Sequence, residues 1–242
     1  MAFTKLLQRI TTGLSARSST LEKPVNITHN LSSITVIHNG KEVIIERNQD
    51  SHSRIDDLFA KTSRPCPPFC VQPAKIAPKV ETIAELEMID YLQQSTQDDS
   101  ILIIDSRIKE WVDVGTIPGT KNIPWTVLSL DNKALPFTNV ISILLESFGV
   151  KMIKGVELDE LSEAFENETL SEKLDFSEAK TLVLYCNGSW CGQTSKAILT
   201  LLELSYPAEK IKYYRDGMQG WLNLGLTTVS SKDSKPSCKL VK

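Results

Sequence analysis

Cys186 stands at the end of an apolar run, Thr181-Leu182-Val183-Leu184-Tyr185, and is followed by Asn187, Gly188, Ser189, Trp190, Cys191, Gly192, Gln193 and Thr194. A cysteine at the carboxyl end of a strand lies where open α/β sheets bind ligands. Amide N–H groups of a small-residue loop and of a helix N-terminus can converge there on anything anionic, including the sulfur itself. Such surroundings lower a thiol pKa from about 8.5 and favour the thiolate. The chemistry to expect is therefore nucleophilic attack by Cys186, against the plainer reading of a buried structural cysteine. Cys191 adds a second thiol in the same loop. It could resolve an oxidised Cys186, such as a sulfenic acid, as a disulfide, or point into the core as a small hydrophobe, and both readings stand.

A second pair, Cys66 and Cys70, sits in Ser63-Arg64-Pro65-Cys66-Pro67-Pro68-Phe69-Cys70. The Pro-Pro step holds it in an extended or turn path and off any helix face. Three readings are open: half a metal site, a redox or sulfur-relay pair, and two thiols packed in a tight loop. No second pair or nearby histidine completes a four-ligand metal set.

The elements that must position these residues follow from periodicity. Thr181 to Tyr185 reads as a strand covered on both faces. The following helix is expected to open at Thr194 or Ser195, with Ala197, Ile198, Leu201 and Leu202 on one stripe. Upstream, Ile34 to His38, Asn39-Gly40 and Lys41 to Glu46 predict a β-hairpin with a type I′ turn, His38 being a surface strand residue. Ile55 to Lys61 could make a short helical turn. Pro73 to Pro78 reads as a connector, which places a boundary near residue 78. Thr82 with Glu85 carries a capping-box spacing, and Ile83, Leu86, Ile89, Tyr91 and Leu92 form a helical stripe. Ile101 to Asp105 is a second buried strand, and Gly115 to Pro124 a turn leading into a short one. Residues 137–149 have helical periodicity, residues 156–178 are acidic with one helix, and Ile211 to Tyr214 is a last strand. Arg215 to Trp221 then turns the chain back. Strands alternating with helices predict a mainly parallel α/β sheet.

The chain has 242 residues, 41% hydrophobic and 24% charged, ample for a packed core. A net charge of −3 offers no reason to propose a nucleic-acid partner. No apolar run approaches the roughly 18 residues of a membrane helix. Five cysteines, an odd number, point to reduced thiols and a cytoplasmic setting. Residues 1–20 carry Phe3, Leu6, Leu7, Ile10 and Leu14 at amphipathic spacing with Lys5, Arg9 and Arg17, and no acid precedes Glu22. That pattern fits a mitochondrial presequence, which would place the protein in the matrix, and fits equally a packed N-terminal helix or a frayed tail.

Ile103-Ile104-Asp105-Ser106-Arg107, Glu110-Trp111, Gly115-Thr116-Ile117-Pro118-Gly119 and Asn122-Ile123-Pro124 resemble the entry region of the rhodanese, or sulfurtransferase, domain. Leu184-Tyr185-Cys186 with its helix resembles that family's active-site loop, and Asp216-Gly217-Met218-Gln219-Gly220-Trp221 with Gly225-Leu226 its closing motif. The resemblance covers about residues 80–230. It implies a rhodanese-like α/β fold at 79–230, a mainly parallel sheet flanked by helices. Residues 1–78 then form an N-terminal extension with a small β-hairpin, and 231–242 a polar tail. Ser63 to Pro73 also looks like a stretch preceding the domain in some bacterial rhodanese-like proteins.

The chemistry implied is a Cys186 persulfide, taken from thiosulfate or a thiol persulfide and passed to a thiol or protein acceptor or to cyanide, with no cofactor or metal. Loop amides from Asn187 to Gln193 would stabilise the persulfide anion. Asp105 and Arg107 match positions near the pocket, where an ion pair or structural hydrogen bond is expected. Cys191, Cys66 and Cys70 remain candidates for redox or relay roles. The family's loop usually carries a basic residue at the fifth position after the cysteine. Here that position is Cys191, the loop has no Arg or Lys, and the helix start is expected about two residues late. Thr116 replaces the usual histidine of the Gly-His-Ile-Pro-Gly turn. Other functions to weigh are a non-catalytic rhodanese-like binding module and a thiol redox protein using Cys186 and Cys191. A phosphatase or arsenate reductase is the third, although its loop would need an arginine to clamp the oxyanion.

Overall fold

A computed structural model describes residues 23–130 and 137–230. The first strands among the described residues are β1 (Ser33–His38) and β2 (Lys41–Glu46), antiparallel with His38 opposite Lys41. Asn39 and Gly40 supply the two positive φ angles, 50° and 74°, of the hairpin turn. Ile34, Val36, Val43 and Ile45 alternate inward, as a two-residue period requires. Then come α1 (Asp57–Ala60), β3 (Glu81–Ile83), α2 (Glu85–Gln94), β4 (Ile101–Asp105), α3 (Lys109–Val114) and β5 (Lys121–Asn122). A 3₁₀ turn, Trp125–Leu128, leads on to α4 (Phe137–Ser147), β6 (Lys151–Met152), α5 (Glu160–Glu166) and β7 (Leu174–Asp175). The chain then forms β8 (Thr181–Tyr185), α6 (Gly192–Glu203), β9 (Ile211–Tyr214) and α7 (Gly217–Asn223).

Five strands make the central sheet in the order β3-β9-β8-β4-β5, with every neighbouring pair parallel. β8 lies in the middle and alternates between two cores. Leu182 and Leu184 join Ile104 and Tyr213 under α4, α5 and α6. Val183 and Tyr185 join Ile103 and Tyr214 on the other face, under α2, α7 and the hairpin. The extension is thus a packing layer of the domain. It is stitched to the segment after α7 by hydrogen bonds from Thr227 N to Glu46 O (3.1 Å) and from Asn48 N to Gly225 O (2.7 Å).

Several expectations are corrected. Thr82 and Glu85 form no capping box, because Thr82 and Ile83 are drawn into β3 by pairing with β9. The Thr82 hydroxyl donates instead to the Ala74 carbonyl, and Glu87 accepts from the Ala84 amide at 3.1 Å where α2 begins. Leu86 is consequently exposed while Met88, Ile89 and Leu92 are buried. α6 begins at Gly192, two residues before the expected threonine cap, so the loop is not lengthened. α7 begins within Arg215 to Trp221, where only a turn was expected; the acidic stretch carries its one expected helix, α5, and also β7, which pairs antiparallel with the earlier β6. The presequence-like residues 1–20 and the tail 231–242 lie outside the described residues. Among the described residues no helix is long and apolar enough to cross a membrane.

Candidate active site

The Cys186 loop leaves the carboxyl end of the central strand and is held from below by α7. Met218 N donates to Cys186 O and Gln219 N to Asn187 O, both at 2.9 Å. Gly217 permits this approach: its φ is +51°, and a Cβ there would fall far inside contact distance of the Cys186 carbonyl oxygen. The Asp-Gly-Met-Gln sequence is therefore the seat of the loop. Among the described residues the amides of Asn187, Gly188, Ser189 and Trp190 donate to no protein acceptor. They adjoin the N-terminus of α6, whose first N–H groups have no partner within the helix.

Cys186 and Cys191 are joined as a disulfide, Cα atoms 6.2 Å apart, and Cys66 and Cys70 as another at 4.6 Å. Reduced thiols were expected from the odd cysteine count; what brings each pair together is a tight turn, four residues around the Pro-Pro step and five around the loop. Cys186 and Cys191 are buried. Gln193 Oε1 lies 3.3 Å from Cys186 Sγ, at the first turn of α6. The Thr194 hydroxyl, expected to cap that helix, is buried within its first turn and has no hydrogen-bond partner among the described residues.

Beneath the loop lies a buried polar cluster. Asp105 accepts from Arg107 Nε at 2.9 Å, Arg107 NH2 at 2.6 Å, Arg107 N at 3.1 Å, Thr116 Oγ1 at 2.7 Å and the Tyr185 hydroxyl at 3.0 Å. Both charges are almost fully enclosed, 0% and 1% exposed, so each depends on the other. Burial acts against the Arg107 charge, but the Asp105 carboxylate and its hydrogen bonds outweigh it and hold the guanidinium above its ordinary pKa. Burial, and then the Asp105 charge, push the Tyr185 phenol well above its usual range, which keeps it a neutral donor. Thr116 serves the carboxylate directly, so the threonine in the histidine position has a role of its own. From this cluster Arg107 NH1 reaches Asn187 Oδ1, the residue after Cys186, at 3.4 Å.

The loop is roofed by the N-terminal extension. The Arg64 guanidinium stacks 3.6 Å from the Trp190 ring centroid, and Phe69 meets the same ring edge-on at 5.7 Å. Gln72 N donates to Ser189 O at 2.8 Å, while Gln72 O accepts from Arg215 Nε and NH2 at 3.1 and 2.9 Å. On its other side, Trp190 Nε1 donates to Gln219 Oε1 at 2.8 Å, and Gln219 Nε2 to Phe59 O at 2.7 Å. The side chain of Gln72 also lies against Gly192, its Nε2 3.4 Å from where a Cβ would stand. The loop has no basic residue of its own, yet Arg64 and Arg107 both reach it through the tertiary structure. Arg64, Phe69, Gln72 and Gln219 escaped the sequence reading. For Gln219 the closing motif was a signal, whereas for the other three only nearness to Cys66 and Cys70 was.

A parallel sheet with a loop-borne cysteine at the end of its central strand, seated on a neighbouring helix N-terminus, defines a cysteine-loop α/β domain. The family model of the rhodanese-like domain matches residues 88–224, and the chain belongs to that family. No curated protein matches the chain significantly. Among solved structures, the BH2092 protein of Bacillus halodurans is similar at 14% identity and a TM-score of 0.37, over 66% of this chain and 85% of that one. The rhodanese-like domain of an Anabaena protein is similar at 13% identity and a TM-score of 0.35, over 66% and 86%.

Proposed function

We propose that this protein is a sulfurtransferase that carries a sulfane sulfur on Cys186. The observation that carries the reading is the setting of Cys186: at the end of β8, under loop amides without protein acceptors, with Cys191 Sγ within bonding reach. In the reduced protein the Cys186 thiolate attacks the outer sulfur of thiosulfate or of a thiol persulfide. The new S–S bond forms as sulfite or a thiolate leaves with the electron pair. An acceptor thiolate then attacks that outer sulfur and Cys186 departs as thiolate. When no acceptor is present, the Cys191 thiolate attacks Cys186 Sγ, expels hydrosulfide and closes the Cys186–Cys191 disulfide. The family supports sulfur transfer as a class, while the choice of donor rests on the site. Arg64 and Arg107 supply positive charge beside the loop, although Arg107 is already neutralised by Asp105. A thiol persulfide therefore fits better than the thiosulfate dianion.

Intact-mass spectrometry of reduced protein, after exposure to thiosulfate or to a thiol persulfide, tests the reading. Wild type should gain one sulfur and Cys186→Ser none. Absence of any gain with both donors would refute it, and would turn attention to a binding role for the domain.

A further inference from the structure

The two disulfides differ in access to solvent. Cys186–Cys191 is enclosed, its cysteines 3% and 6% exposed, whereas Cys66 is exposed and Cys70 partly so. The contacts that fasten the extension to the loop fall on both sides of each bridge. Arg64, two residues before Cys66, covers Trp190; Phe69, next to Cys70, touches the same ring. Gln72, two residues after Cys70, bonds the Ser189 carbonyl and packs on Gly192. Its Nε2 also donates to Cys70 O at 2.9 Å, so one side chain links the backbone of Cys70 to the residue after Cys191. Two of the loop residues touched by the extension, Trp190 and Gly192, are the neighbours of Cys191. An external protein thiol can therefore reach the outer bridge but not the inner one, and the residues that flank the outer pair lie against the residues that flank Cys191.

We propose that Cys66 and Cys70 are the electron-entry pair of the Cys186 site, reduced from outside by a dithiol protein and passing two electrons to the loop disulfide by thiol–disulfide exchange. This rests on the sulfurtransferase reading, in which the loop disulfide forms as sulfide is released. The Cys70 thiolate attacks Cys191 Sγ; the Cys70–Cys191 bond forms, the Cys186–Cys191 bond breaks, and Cys186 leaves as thiolate, ready for the next sulfur. The Cys66 thiolate then attacks Cys70 Sγ, closing Cys66–Cys70 and freeing Cys191. The loop disulfide is thereby reduced and the outer dithiol oxidised. A dithiol reductant attacking the exposed Cys66 restores the pair and becomes a disulfide itself, its two protons matching those taken up by the released thiolates.

The test uses the full chain in a Cys238→Ser background, so that the four remaining cysteines account for every thiol. Oxidised Cys66→Ser leaves Cys70 able to attack but nothing to resolve the product. Alkylation and non-reducing peptide mapping should find the free thiol on Cys186 and a Cys70–Cys191 cross-link. A free Cys70 beside an intact Cys186–Cys191 bridge would overturn the proposal. With reduced thioredoxin as the probe, the loop bridge of Cys66→Ser/Cys70→Ser should open about tenfold more slowly than that of the parent. Equal rates would overturn it. Should the variants fail to fold, a timed alkylation series on the parent protein decides. Protein with Cys66 and Cys70 free and the loop bridge still closed must appear first, and an open loop bridge that appears before that species refutes the relay. None of these measurements uses a sulfur donor, so failure of the relay is distinct from failure of Cys186 to gain sulfur.

Discussion

Gly217 lies directly against the carbonyl of Cys186, so close that no side chain fits between them, and the next two amides of α7 grip the carbonyls of Cys186 and Asn187. The loop that carries the nucleophile is thus shaped by a helix more than 30 residues further along the chain.

Gly217→Ala should therefore cost about 3 kcal/mol in urea unfolding, from positive-φ strain plus a backbone clash. Gly225→Ala, also at positive φ (+65°) but with its nearest neighbour, the Asn48 Cβ, at 3.4 Å, should cost only about 1 kcal/mol. Similar losses at the two positions would show that the contact with Cys186 is unimportant.

Asp105→Asn should destabilise by about 3–5 kcal/mol, because it leaves the Arg107 charge buried without its partner. Replacing the pair together, Asp105→Asn with Arg107→Met, should restore part of that loss. The readout is a double-mutant cycle by chemical denaturation.

Arg64→Ala should expose the loop. Loss of roughly 1 kcal/mol of cation–π contact over Trp190 predicts about a fivefold faster alkylation of Cys186 in the reduced protein. Arg64→Lys should fall between, since a compact ammonium covers the indole less well. An unchanged rate in both would mean that the extension does not govern access.

Cys191→Ser should hold the sulfur once it is loaded. The Cys186 persulfide, followed by intact mass, should outlast that of the wild type, and sulfide release without an acceptor should fall to background. Unchanged release would show that Cys191 does not resolve the persulfide.

His38 gives a pH dependence. Its Nδ1 accepts from Gly119 N at 3.2 Å, and burial lowers its pKa below the ordinary 6.5. A base with a depressed folded-state pKa contributes its stability in full above the unfolded value and loses it as pH falls through the folded one. The Tm should thus decline as pH drops below about 6.5, and His38→Gln, which keeps an acceptor that does not titrate there, should flatten that decline. Equal slopes would remove His38 as the cause.

The strands that carry the site were legible because each is a short run with an unambiguous pattern. β1 and β2 alternate about an Asn-Gly turn, while β4 and β8 carry unbroken apolar runs at residues 101–104 and 182–185, as strands covered on both faces do. Boundaries were less legible where pairing or packing overrode a local signal. Thr82 has a helix-cap spacing yet lies in β3, because β9 takes it as a strand. The Thr194 cap gave way to a helix beginning at Gly192, since its hydroxyl is enclosed within α6. α7 was missed because two of its first four residues, Gly217 and Gly220, are glycines and the first has a positive φ, a sequence that locally reads as a turn.

Sequence alone determined the nucleophile candidate, the strand that ends at it and the family, all carried by residue types at short spacing; it expected reduced thiols, and the cysteine pairing came from the tertiary structure. Tertiary structure decided what surrounds Cys186. It brought Arg107 to Asn187 and laid Arg64 and Phe69, the neighbours of an exposed cysteine pair, on Trp190, beside a buried one. These contacts join residues more than 75 positions apart, and no local pattern encodes them. They exist because the hairpin and the segment behind it bury their apolar side against the sheet, a choice made by packing across the whole domain.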